Sequence, residues 1–70
     1  MNEKALYESM FRKVRVIERT NGTPRERTGT VIAYESCYDS GCGEACIWID
    51  DNIEPGILRQ SDIMLLQIIE

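Results

Sequence analysis

The chain has 70 residues and a net charge of −4, with 43% hydrophobic and 29% charged residues, a balance that suits one small globular domain and excludes a disordered chain. It has no histidine, so the commonest general base and the commonest neutral metal ligand are both missing. Apolar runs such as Ile63 to Leu66 are too short to cross a bilayer, and no N-terminal stretch joins a basic region to a long apolar one; a cytoplasmic protein without membrane attachment is expected.

In chain order, residues 3–12 are predicted to be a short amphipathic helix. Leu6, Tyr7, Met10 and Phe11 recur at helical spacing, Asn2 is placed to cap the first turn, and Glu3 suits the positive end of the helix dipole. So short a helix must dock its apolar stripe to persist. From Lys13 the period changes to two. Lys13, Arg15 and Ile17 alternate with Val14, Val16 and Glu18, as in a strand. The polar stretch from Arg19 to Thr28 contains an Asn21-Gly22 turn signal and Pro24, and is expected to be an irregular, basic, exposed loop or a ragged hairpin arm.

Gly29 then opens a second strand, Thr30 to Cys37, and residues 38–44, with two glycines, form a loop. Ala45 to Asp50 is the third strand, with Ala45, Ile47 and Ile49 on one face and Cys46, Trp48 and Asp50 on the other. Asp51-Asn52 and Glu54-Pro55-Gly56 are turn signals, Ile57 to Gln60 a fourth strand, Ser61-Asp62 a tight helical turn, and Ile63 to Ile69 the last strand. That last strand is apolar on both faces except at Gln67. It needs cover on both sides, from the barrel interior on one and on the other from a second copy in a homo-oligomer or, alternatively, from Leu6, Met10 and Phe11 of the same chain. The expected fold class is thus mostly β: one domain over residues 1–70, with the helix at 3–12 and a five-stranded small barrel at 13–69.

This order of elements resembles the SH3-like small barrels, a plan shared by SH3, Tudor, KOW-type and Sm-like modules. The Sm-like variant also begins with a helix. Gly29, Val31, Tyr34, Glu35 and Asp39 fall at the spacing of that family's first motif, and Ile57-Leu58-Arg59-Gln60 followed by Ile63 is similar to its second. Gln60 stands where the family has Gly, Asp39 where it has a base-binding Asn, and residues 40–44 are inserted. The resemblance implies a module that acts by binding, as accessory proteins of bacteria and their phages with this plan do.

Charge is unevenly spread. Residues 1–27 hold seven basic against four acidic groups, for +3, whereas residues 28–70 hold one basic against eight acidic, for −7. Two binding surfaces follow. An aromatic patch of Trp48, Tyr34 and Tyr38 with a rim of Arg15, Arg25 and Arg27 would take a protein partner. Alternatively, Arg19, Arg25, Arg27 and Arg59 would contact phosphates of a nucleic acid, although the overall acidity works against that.

Cys37, Cys42 and Cys46 fall within ten residues at a spacing unlike the usual zinc patterns. They are expected to be free structural thiols. A metal site completed by Asp39 or Glu44, or a Cys37–Cys46 bridge across a hairpin, is the alternative. No cofactor is expected. Without histidine or a phosphate-binding loop, enzymatic activity is not expected either.

Overall fold

The computed structural model describes residues 2–19, 22–51 and 55–70. Its elements are helix α1 (Glu3–Glu8), strands β1 (Lys13–Glu18), β2 (Arg25–Glu35), β3 (Cys46–Asp50) and β4 (Pro55–Arg59), a 3-10 turn (Gln60–Asp62), and strand β5 (Ile63–Ile68). Asn21, Asn52 and Glu54, which carry parts of three expected turns, lie outside the described residues.

Helix α1 starts as its sequence predicts, with the Asn2 side-chain oxygen accepting from the Ala5 N–H at 2.8 Å. It ends at Glu8, four residues earlier than expected. Ser9 closes the last turn: its hydroxyl donates to the Leu6 carbonyl at 2.6 Å. Phe11 then takes a left-handed backbone conformation, φ 64°, which redirects the chain. The Phe11 N–H donates to the Val31 carbonyl at 2.8 Å and the Val31 N–H to the Arg12 carbonyl at 3.0 Å. Sheet pairing therefore captures residues that periodicity alone would leave in the helix. Of the expected stripe, Leu6 is fully buried while Tyr7 and Phe11 are exposed.

The five strands form one antiparallel sheet in the order β4-β3-β2-β1-β5. β2 is eleven residues long and serves two neighbours, pairing with β1 through Arg25–Thr30 and with β3 through Thr30–Glu35. A bulge between Val31 and Ala33 bends it between the two halves. β2 also begins earlier than expected. Of the two readings for this stretch, Arg25 to Thr28 follow the hairpin arm and not the loop, because Pro24 sits just before the ladder, where its missing N–H costs no hydrogen bond. Likewise Pro55 and Gly56 belong to β4 and not to a turn: β4 is an edge strand, and proline is tolerated at its first position.

β4 and β5 lie at opposite ends of the strand order, yet three residues join them. In a flat sheet the two outer strands would stand about 19 Å apart, at roughly 4.8 Å per strand spacing. Four peptide steps between Arg59 and Ile63 reach at most about 15 Å. The sheet must therefore curl. Among the described residues β4 and β5 do not pair, so the curled sheet stays open rather than closing into a barrel.

The concave side holds the core: Leu6 from the helix, Val14 and Val16 from β1, Val31 from β2, Ala45, Ile47 and Ile49 on and before β3, Leu58 from β4 and Ile63 from β5. Tyr34 and Leu66 pack against it. The alternation expected for β1 and β3 is observed. Cover for β5 is partial, since Met64, Leu65 and Ile68 remain exposed. Among the described residues no helix is long and apolar enough to cross a membrane.

Candidate functional site

Trp48 occupies the outward face of β3, opposite Ile47 and Ile49, as strand alternation predicts. Its register partners are Ala33 on β2 and Ile57 on β4. Ile32, at the bulge, and Ile57 are both exposed. The half-buried indole is fixed in place: its Nε1 donates to the Glu35 carboxylate at 3.1 Å. The indole face and two isoleucines thus form an apolar patch on the convex side of the sheet, beside the open edge of β4. Among the described residues the surface encloses no pocket.

The expected aromatic trio is not assembled. Tyr34 points to the concave side, packs against the core, and meets Tyr7 edge to face with ring centroids 5.5 Å apart. Burial and the neighbouring Glu3 raise the pKa of its hydroxyl. Tyr38 is 92% exposed, on the loop after β2. Tyr34 and Trp48 are separated by the sheet because the bulge shifts the register so that Tyr34 pairs with the inward-facing Ile47.

The basic residues divide in the same way. Arg15 lies on the convex face and pairs with Glu26. Arg25 is exposed at the start of β2. Arg19 is exposed too, with its backbone N–H donating to the Asp62 carbonyl at 2.8 Å. Arg59 stands 3.7 Å from Asp62.

Arg27 departs from both expected surfaces. It is 8% exposed, on the concave side, with its guanidinium 3.1 Å from Asp51 and 3.8 Å from Glu18, itself 3% exposed. Gly56 makes room for it: a Cβ there would come within 2.5 Å of Arg27 Nη1. This buried ion cluster is an internal brace and not a rim. Its signal was present in the sequence, since Glu18 shares the inward parity of Val14 and Val16 and needs a cation to be buried there.

The three cysteines separate into one and two. Cys37 is half-buried, and its N–H donates to Glu3 at 3.2 Å. Cys42 and Cys46 are neighbours, with sulfurs 3.8 Å apart. All three are free thiols, and the juxtaposed pair is Cys42–Cys46 and not the Cys37–Cys46 pair of the bridged alternative. Among the described residues no three Cys, Asp or Glu side chains are grouped to hold a metal ion. Sequence reasoning also missed the tie between Glu44 and Ser61, because it joins loops far apart in the chain. Comparison of the chain with protein-family models, with curated proteins and with solved structures finds no match in any of the three.

Proposed function

We propose that this chain is a small, non-enzymatic protein-interaction module of SH3-like type, working in the cytoplasm, whose convex face around Trp48 receives an extended segment of a partner polypeptide along the open β4 edge. The observation that carries the reading is the indole anchored by Glu35 between Ala33 and Ile57. A rigid aromatic on an exposed sheet face contributes large contact area at little entropic cost. Among the described residues the outer edge of β4 has no strand partner, and it supplies backbone donors and acceptors of the kind that added strands use. The strand order and the short 3-10 turn between β4 and β5 support the SH3-like resemblance. The exposed apolar residues of β5 support a homo-oligomer as one form of such an interaction.

The test is a screen of immobilised peptides of varied sequence, followed by titration of the hits on the fluorescence of Trp48, the single tryptophan. Binding peptides should shift the indole emission and perturb the amides of Ile57 to Arg59. Trp48→Ala should weaken binding by at least about tenfold while leaving the unfolding transition cooperative. Hits that map away from β3 and β4, or that bind Trp48→Ala as well as the parent, would overturn the reading. The nucleic-acid alternative, a ring of Sm-like type, loses Arg27, which is turned inward, and keeps Arg19, Arg25 and Arg59 at the surface, with Arg59 beside Asp62.

A further inference from the structure

The loop between β2 and β3 folds back on itself so that its own thiol meets the first residue of the next strand. The Ser40 hydroxyl donates to the Glu44 carbonyl at 2.6 Å, closing residues 40–44 into a tight turn. Inside that turn Cys42 Sγ lies 3.4 Å from Ser40 Oγ and 3.8 Å from Cys46 Sγ, and both sulfurs rest against the Glu44 carbonyl oxygen, at 3.5 and 3.7 Å. Cys46 is buried, yet it is not part of the hydrophobic core cluster. It sits on the convex side of β3, in the row of Glu35 and Arg59. Cys42 is exposed. The far end of the turn is pinned, because the Glu44 carboxylate accepts from the Ser61 N–H at 2.6 Å and from its hydroxyl at 3.0 Å.

One thiol is therefore open to a reagent, and the other can be reached chiefly through the first. Their electronic character differs in the same sense. Burial is the main influence pushing the Cys46 thiol up to about 11, whereas Cys42 is exposed. Gly43 separates them in a left-handed conformation, φ 85°, and a Cβ there would touch nothing within 4 Å. Forming the bond would bring the sulfurs from 3.8 Å to the bonded distance of about 2.05 Å.

We propose that Cys42 and Cys46 form a thiol–disulfide exchange site, in which Cys42 attacks a disulfide substrate and Cys46 resolves the product. In the first step the Cys42 thiolate attacks one sulfur of the substrate disulfide. The substrate S–S bond breaks, one substrate thiolate leaves, and Cys42 carries the other half as a mixed disulfide. In the second step Cys46 gives up its proton and its sulfur attacks Cys42 Sγ, expelling the second substrate thiolate. The two cysteines are oxidised by two electrons to one disulfide, the substrate is reduced to two thiols, and the two protons of the cysteines go to the leaving thiolates. Cys37 takes no part.

The full chain, reduced and freed of reductant, is mixed with glutathione disulfide at neutral pH. Samples are quenched in acid over time and read by intact mass and fragment mapping. The expected product is a chain lighter by two hydrogens with its bridge between residues 42 and 46, preceded by a transient glutathione adduct. Cys37→Ser should behave like the parent. Cys46→Ser should stop as a lasting adduct on Cys42. Cys42→Ser should form no bridge and lose thiol at least about tenfold more slowly. Cys42 is exposed, so its variant is not expected to unfold, and circular dichroism of each variant separates a folding defect from a chemical one. A lasting adduct on the parent chain, a bridge that includes Cys37, or equal rates for parent and Cys42→Ser would overturn the proposal.

Discussion

Replacing Arg27 by Met should bring the protein close to unfolding, although the sequence alone presents this residue as one more arginine of a basic loop. Its guanidinium lies 3.1 Å from Asp51 and 3.8 Å from Glu18, with side chains 7%, 11% and 4% exposed respectively. Methionine would preserve much of the stem's packing over Gly56, so the change isolates the charge. Two mostly buried carboxylates would then lose the cation they share. Breaking a buried pair from one side costs about 3–5 kcal/mol, and a domain of this size has about 4–10 kcal/mol in total.

Urea unfolding followed by Trp48 fluorescence and circular dichroism reads the effect. With a slope near 1 kcal/mol per molar urea, the midpoint should fall by about 3 M or the transition should be lost. Adding Glu18→Gln to Arg27→Met removes one of the stranded charges and should recover part of the loss, so the two changes should be clearly non-additive. An Arg27→Met variant within about 0.5 kcal/mol of the parent would refute the reasoning and return Arg27 to the solvated surface.

Two further predictions bear on how the sheet is held in its curl. Gly29→Ala places a methyl group against the Asp50 carbonyl oxygen, with the Asp50 carbonyl carbon at 2.9 Å and the Asp51 Cα at 3.0 Å; these are backbone atoms that cannot rotate aside, so the variant should lose about 1–3 kcal/mol or more in the same urea assay, whereas a neutral or stabilising effect would contradict the close approach. Ser61 holds the Glu44 carboxyl below its usual range through hydrogen bonds from its N–H and hydroxyl. A lowered folded-state pKa contributes stability above the ordinary glutamate value of about 4.3 and loses it as the pH falls through the folded value. The midpoint difference between the parent and Glu44→Gln should therefore be steady from about pH 7 to 5 and shrink towards about pH 3, and a difference that grows in acid would refute the contact.

Much of the secondary structure was legible because local physics decides it. Asn2 caps the helix with its own side chain, and the period-two alternation of Val14, Val16 and Ile47, Ile49 places those residues on one face whatever the partner strand is. The 3-10 turn around Ser61-Asp62 and the outward placement of Trp48 follow in the same way. Where expectation and structure part, pairing over a distance outweighs local preference. Phe11 leaves the helix because Val31 offers it a backbone partner, and Arg25 to Thr28 become strand because β1 lies beside them.

The site divides along the same line. Strand parity could put Trp48 on the convex face, but the separation of Tyr34 from it depends on a bulge between Val31 and Ala33 that has no composition of its own. Parity also put Glu18 inward. It could not identify Arg27 and Asp51 as its companions, since these are brought together only when β2 crosses from β1 to β3 and the sheet curls. The choice of Cys42 over Cys37 as the neighbour of Cys46 rests on a turn closed by Ser40 and pinned by Glu44 to Ser61, seventeen residues away. The sequence by itself determined which residues are apolar, which alternate and where the chain can turn. The tertiary structure decided which charges and thiols meet, because those contacts join residues whose proximity depends on the path of the whole sheet.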